Sequence, residues 1–138
     1  MTGNAVTKKG VAVTIRDRLE GENFRKQLRK VLPKTLPPDR FVRVALTAMQ
    51  RTPALASCDE ASFFNALLTL SELGLEPDGR RAHLIPFKNT RRGVMEAQLI
   101  IDYKGLVELM LDNGDVASMH ADLIVEGEEC IFNRGRVE

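Results

Sequence analysis

The side chains best able to do chemistry in this sequence are cations and aromatic rings clustered between residues 80 and 104. Nucleic-acid phosphates need several cations on one face, because each phosphate contact releases a counterion. Aromatic rings beside such cations can stack on bases whatever the base sequence. The residues predict a nucleic-acid site, and the alternative is a solvated turn whose phenylalanine lies in the core. The residues concerned are Arg80, Arg81, Phe87, Lys88, Arg91, Arg92, Tyr103 and Lys104.

Nucleophiles and soft metal ligands are few and far apart. Cys58 and Cys130 lie 72 positions from each other, and His83 and His120 each stand alone. This spacing gives no zinc motif, and two cysteines build no disulfide framework, so a reducing cytosol is the expected compartment. The sequence also has no Gly-Lys-Ser/Thr phosphate loop. We therefore predict no catalytic residue, no metal and no cofactor, and a protein that is not an enzyme.

A group of carboxylates keeps one enzymatic alternative open. Glu126, Glu128 and Glu129 lie at a predicted turn and could join Asp102 around a magnesium ion. Carboxylates from adjacent turns are a common arrangement in nucleases, but a solvated acidic turn has the same composition. The competing function is a magnesium-dependent nuclease or nuclease subunit.

Composition and charge bound the class of protein. The chain has 138 residues, 43% of them hydrophobic and 28% charged, which suits one soluble globular domain. No apolar run approaches the roughly 18 residues that a membrane-spanning helix needs, so no membrane partner is expected. The net charge of +1 conceals blocks of opposite sign. The blocks carry +8 over residues 1–51, −5 over 52–79, +4 over 80–104, −7 over 105–129 and +1 over 130–138.

The first half of the chain has helical periodicity. Apolar residues at three- to five-residue steps predict one helix from Thr14 to Leu32, followed by a second that opens at Pro37-Pro38 and ends before Pro53. Ser57 and Glu60 fit a capping box for a third helix, which Gly74 ends. Residues 1–13 are expected to form a mobile basic tail.

The second half has the texture of strands. Residues 82–87 and 95–101 predict a β-hairpin with a basic turn over 88–93, and Pro86 implies an edge position or a bulge. A short helix around Leu106 to Leu111 should follow. Residues 116–125 and 130–132 predict a further strand pair turning at Glu126-Gly127-Glu128. The expected fold class is α/β (α+β), with N-terminal helices packed on a small antiparallel sheet.

Several motifs in a fixed order resemble the RecT family of phage-type single-strand annealing proteins. They include Leu73-Gly74-Leu75-Glu76-Pro77, the run from His83 to Phe87, and the run from Gln98 to Leu106. Phe41 to Thr47, Thr52 to Leu55 and Cys58-Asp59 precede these in the family's order. The similarity covers roughly residues 26–133, and consecutive motifs are far more specific than any single one.

The resemblance implies a protein that coats single-stranded DNA and anneals complementary strands without ATP, in homologous recombination and repair. It implies rings or helical filaments of one chain, and work beside a 5′-to-3′ exonuclease in the cytoplasm of a bacterial or phage-infected cell. Binding that protects a single strand without annealing it is a second alternative. The family domain continues about a hundred residues further, so residues 14–138 are expected to be a truncated form of it.

The resemblance also assigns site residues. The positions that match the family's motifs are Lys88 and Asn89 in the basic turn, and Gln98, Tyr103 and Lys104 in the strand-to-helix step. Arg91 and Arg92 lie in a turn whose length varies within the family. With Arg80, Arg81 and Phe87 from the charge and ring pattern, these are the predicted DNA-binding residues.

Overall fold

The computed structural model describes residues 15–129. A helical stretch over residues 15–20 leads into α1 (Glu22–Val31), which is followed by α2 (Pro38–Arg51), a 3₁₀ turn (Pro53–Ser57) and α3 (Glu60–Leu73). The antiparallel strands β1 (Ala82–Asn89) and β2 (Val94–Ile101) come next, and α4 (Tyr103–Asp112) follows them. The prediction of an α/β fold with helices on a small antiparallel sheet is confirmed. The predicted tail over 1–13 and the strand over 130–132 lie outside the described residues.

The core forms where the helices meet the inner face of the hairpin. Large side chains such as Phe41, Phe63 and Leu67 are fully buried, together with Leu28 of α1. On the sheet side, Ala82, Leu84 and Ala97 complete the cluster. Burying apolar area of this kind is the main favourable term in folding, at roughly 25 cal/mol per Å². None of the helices in the described part of the chain is both long and apolar enough to cross a bilayer.

The helix predicted from Thr14 to Leu32 is interrupted at Gly21. Gly21 has an extended ψ of 148°, and its amide bonds to the carbonyl of Arg18 before α1 begins. Ile15 and Leu19 precede the bend and Phe24 and Leu28 follow it, yet all four are buried. The apolar spacing is kept across the bend, which is why the periodicity alone did not reveal it.

The cap of α3 differs from the predicted one. Asp59 is the N-cap, its carboxylate accepts from the amide of Ser62 at 3.0 Å, and the Ser62 hydroxyl donates to the Asp59 carbonyl. Ser57 belongs instead to the 3₁₀ turn and donates to Ala54. At the other end Gly74 adopts the left-handed conformation with φ 71°, as predicted for the residue that ends this helix.

Both strands of the hairpin are longer than predicted from the sequence. β1 is longer by two residues and β2 by one. The register of the hairpin runs without a bulge from Ala82 opposite Ile101 to Asn89 opposite Val94. Ala97 donates its amide to Ser62 rather than to β1, so Ala97 and its partner Pro86 form a non-hydrogen-bonded pair. Pro86 therefore costs the ladder no bond, and it occupies the edge position expected of it.

The strand predicted over 116–125 is wrong. Residues 116–125 form no strand, and a turn alone is present at 126–127, where the amide of Glu128 bonds to Val125. Most apolar side chains in the segment are exposed, with Leu123 at 93%. Alternating apolar residues form a strand only when a neighbouring strand accepts their backbone bonds, and no described residue does so here.

Candidate nucleic-acid interface

The β1–β2 hairpin has an inner face against the helices and an outer face in solvent. Alternation along the strands places His83, Ile85 and Phe87 on the outer face, with Gln98 and Ile100 of β2 beside them. Phe87 is 55% exposed. The alternative that Phe87 belongs to the core is therefore excluded, and its ring is available to a ligand. We call this surface the outer hairpin face.

Lys88 and Phe87 do not act side by side, although they are adjacent in sequence. Successive side chains of a strand point to opposite faces, so Lys88 follows the inner face beyond the point where the helices cover it. Lys88 is exposed there and makes no ion pair with a described residue. Arg91, at the tip, and Arg80, before β1, are likewise exposed and outside every ion pair within residues 15–129.

The turn between the strands is organised by Asn89. Its side-chain oxygen accepts from the amides of Arg91 and Arg92 at 3.1 and 3.2 Å, and Gly93 closes the turn with φ 67°. Its side-chain nitrogen donates to Glu96 at 3.1 Å. Asn89 therefore uses both ends of its amide to shape the turn that presents the cations.

Glu96 is a residue of the site that sequence reasoning missed. Besides Asn89, its carboxylate accepts from Arg92 at 2.7 Å, in a pair that is partly exposed. Arg92 is thus less free to meet a phosphate than Arg91. The signal was present in the spacing of Arg92 and Glu96, but only the register shows that Glu96 lies opposite Phe87 at the base of the turn.

The strand-to-helix junction adds a second ring and cation. Tyr103 is 66% exposed, and the Lys104 ammonium lies 5.8 Å from the centre of its ring. Asp102 caps α4 by accepting from the Tyr103 amide, and it lies 3.1 Å from His83 Nε2. The hydrogen bond with His83, then that from the Tyr103 amide, lowers the pKa of Asp102. Tyr103 is not a core residue.

Arg81, another of the predicted site residues, lies in an ion network. Its guanidinium lies among the carboxylates of Glu76, Asp78 and Glu108, at distances of 2.8 to 3.0 Å. Hydrogen bonding to Asp78 and Glu108 raises the pKa of Arg81 against the opposing effect of its burial. The side-chain donors of Arg81 are engaged inside the protein. Arg80, the residue before it, is exposed and makes no ion pair within residues 15–129.

The described residues give little support to an enzymatic alternative, either a magnesium-dependent nuclease or a reaction at a cysteine thiol. No three His, Cys, Asp or Glu side chains come together as a possible metal site in the stretch from residue 15 to 129. The turn with Glu126, Glu128 and Glu129 is exposed, while Asp102 is occupied with His83 and the α4 cap. Cys58 is buried, and burial, followed by the charge of Asp59, raises the pKa of its thiol. A raised thiol pKa makes a poor nucleophile.

Comparison with known proteins adds an independent observation. A profile of the RecT family matches residues 39–138. The chain is 38% identical over 117 residues to "Protein RecT" of Escherichia coli (strain K12), which covers 82% of this chain and 44% of that relative. The chain thus spans less than half the length of this curated relative, and no solved structure matches it. The family match includes the hairpin, the junction and every predicted site residue, and the chain belongs to the RecT family.

Proposed function

We propose that this chain binds single-stranded DNA and takes part in annealing complementary strands without ATP, as a non-catalytic component of phage-type recombination and repair. The observation that carries the proposal is the position of exposed rings and unpaired cations on one projecting hairpin and the junction that follows it. Phe87 and Tyr103 are the rings, and Lys88, Arg91 and Lys104 are cations without an ion pair among the described residues.

The mechanism is electrostatic and geometric. Arg80, Lys88, Arg91 and Lys104 hold phosphates. Gln98 and the Phe87 ring contact the strand from the outer hairpin face, and the Tyr103 ring contacts it from the junction. Asn89 fixes the turn, and Arg92 contributes once a phosphate competes with Glu96. Backbone contacts leave base edges free, so pairing with a complementary strand supplies the driving force for annealing.

Assembly of several copies on one strand belongs to the same proposal. Neighbouring copies would hold consecutive stretches of DNA in register, in a ring or helical filament. A 5′-to-3′ exonuclease that exposes the single strand is the partner the family resemblance implies, and the cytoplasm of a bacterial or phage-infected cell is the setting.

The test combines three measurements on one labelled oligonucleotide. The chain should shift its mobility or anisotropy, leave its length unchanged during incubation with Mg²⁺, and accelerate pairing when the complementary strand is added. Shortening of the oligonucleotide would indicate the nuclease instead. Binding without faster pairing would indicate a protector that does not anneal. No binding at low salt would contradict the proposal as a whole.

A further inference from the structure

Arg81 is the centre of an ion network behind the proposed interface. Its Nε donates to Asp78 at 2.9 Å, one terminal nitrogen donates to Glu76 at 3.0 Å, and the other donates to both oxygens of Glu108 at 2.8 and 3.0 Å. Glu76 is only 2% exposed and also receives a two-point contact from Arg40 of α2 at 2.8 and 3.1 Å. Burial of this kind is tolerated only when the charges are paired and hydrogen-bonded.

The network joins the segment before β1 to the start of α4. Glu108 is the α4 partner, and the Arg81 carbonyl accepts the amide of Asp102 at 2.9 Å. A side chain at Gly105 would collide with that same carbonyl and press on Ile101, so α4 approaches the Arg81 backbone as closely as a glycine allows. Side-chain and backbone contacts of Arg81 therefore hold the stretch from Asp102 to Glu108 at the N-terminal half of α4, and Tyr103 and Lys104 lie within that stretch.

We propose that Arg81 is a positioning residue, paired with Glu108, that holds the Tyr103–Lys104 junction in place instead of contacting DNA. The inference rests on the proposed function, because it concerns the same DNA surface. Three carboxylates around Arg81 outweigh its single positive charge even allowing for Arg40, so it offers little net attraction to a phosphate. A planar guanidinium suits this role because its donors lie in a fixed fork that can hold several carboxylates at once.

The direction in which one substitution changes the affinity for DNA distinguishes positioning from a simple effect of charge. Glu108→Gln removes a negative charge close to the interface, which by charge alone should tighten binding of an oligothymidine. The proposal predicts weaker binding, by about fivefold if roughly 1 kcal/mol of positioning is lost. Asp112→Asn is the matched control, since Asp112 ends the same helix, is exposed and makes no ion pair with a described residue. It should leave binding unchanged or slightly tighter.

Tyr103 supplies a second readout that a loss of stability would not move. It is the only tyrosine and the chain has no tryptophan, so the tyrosine emission belongs to Tyr103 alone. At saturating oligothymidine and below the melting temperature of each protein, Glu108→Gln should show less quenching than wild type. Arg81→Lys, which keeps the charge and loses the fork, should behave like Glu108→Gln.

The salt dependence of binding distinguishes a direct phosphate contact by Arg81 from positioning. If Arg81 contacts a phosphate, Arg81→Gln lowers the slope of log affinity against log salt by about one. An unchanged slope with reduced affinity supports positioning. A slope reduced by one, or tighter binding by Glu108→Gln with full Tyr103 quenching, would overturn it. These results require that wild type binds, whereas failure of wild type to bind refutes the proposed function itself.

Discussion

Tyr103 is the residue at which a role in DNA binding can be distinguished most clearly from a role in stability. Its exposure makes a stabilising role in the core small and leaves the ring free to stack on a base. Tyr103→Phe should bind single-stranded DNA almost normally, because the ring is kept. Tyr103→Ala should lose about 1–3 kcal/mol of binding free energy, the usual worth of one stacked base. Equal thermal melting of the three proteins is the control, and a large drop in the melting temperature of Tyr103→Ala would restore a structural role.

Asp78 connects the stability of the molecule to pH. Partial burial would raise the pKa of Asp78, but the amides of Arg81 and Arg80 and the Arg81 guanidinium outweigh it and lower that pKa below its ordinary 3.8. A carboxyl whose pKa is lower in the folded state stabilises the fold above the unfolded pKa and loses that contribution as the pH falls through the folded pKa. The contribution of Asp78 should therefore be complete near neutral pH and lost in strong acid.

Replacement of Asp78 tests this sign. Asp78→Asn should lower the free energy of unfolding by about 1–2 kcal/mol near pH 7, and by less at about pH 3, because pH 3 lies below the ordinary pKa of 3.8 and wild type has by then lost part of this contribution. Urea denaturation at both pH values measures the difference. Glu72→Gln, at an exposed position of α3, is the control and should change neither value. The same destabilisation at both pH values would contradict a contribution from the charge.

At the scale of elements, the hairpin predicts a graded salt dependence. Lys88→Ala and Arg91→Ala should each flatten the slope of log affinity against log salt by about one, because each loses a phosphate contact. Arg92→Ala should have a smaller effect, since Glu96 already neutralises part of its charge. Lys30→Ala, an exposed cation on α1 away from the hairpin, is the matched control. A slope change as large for Lys30 as for Lys88 would mean that charge acts without a defined site.

The elements also show what the sequence could reveal and what it could not. Strand alternation and turn residues predicted the hairpin, and apolar spacing predicted α2 and α3, since both patterns are local consequences of burial. The bend at Gly21 was missed because it preserves that spacing. The strand over 116–125 was wrong because alternation specifies a strand only with a partner.

The candidate site likewise has features that the sequence could predict and features that it could not. The sequence predicted the cations and rings as a group, but it could not separate Arg80 from Arg81, which are identical and adjacent. Part of their difference comes from Glu108, which contacts Arg81 although it lies 27 positions away in sequence. Contacts between segments so far apart depend on the tertiary fold, which no local pattern encodes.

For the whole molecule, the alternating charge blocks are only partly neutralised within the chain. In the basic first block, Arg16, Arg18, Arg25, Arg29 and Arg40 each pair with a carboxylate. Exposed Lys26, Lys30 and Lys34 make no ion pair within the described part of the molecule. The acids Asp115, Glu126, Glu128 and Glu129 likewise have no Lys or Arg partner among residues 15–129, and Asp122 meets only His120. Unpaired surfaces of opposite sign therefore coexist on one chain.

Two such surfaces predict salt-sensitive self-association. When the acidic surface of one copy meets the basic surface of the next, the contact is heterologous and repeats along an open assembly. Light scattering should show larger species at about 0.05 M salt than at about 0.5 M, because the Debye length falls from more than ~10 Å to less than ~8 Å. Replacing Glu126, Glu128 and Glu129 together by Gln should reduce the association at low salt, whereas Glu72→Gln should not.

Association that persists at high salt would indicate an apolar contact through the exposed side chains around Leu123. A monomer under both conditions, with and without single-stranded DNA, would contradict assembly of this chain by either route.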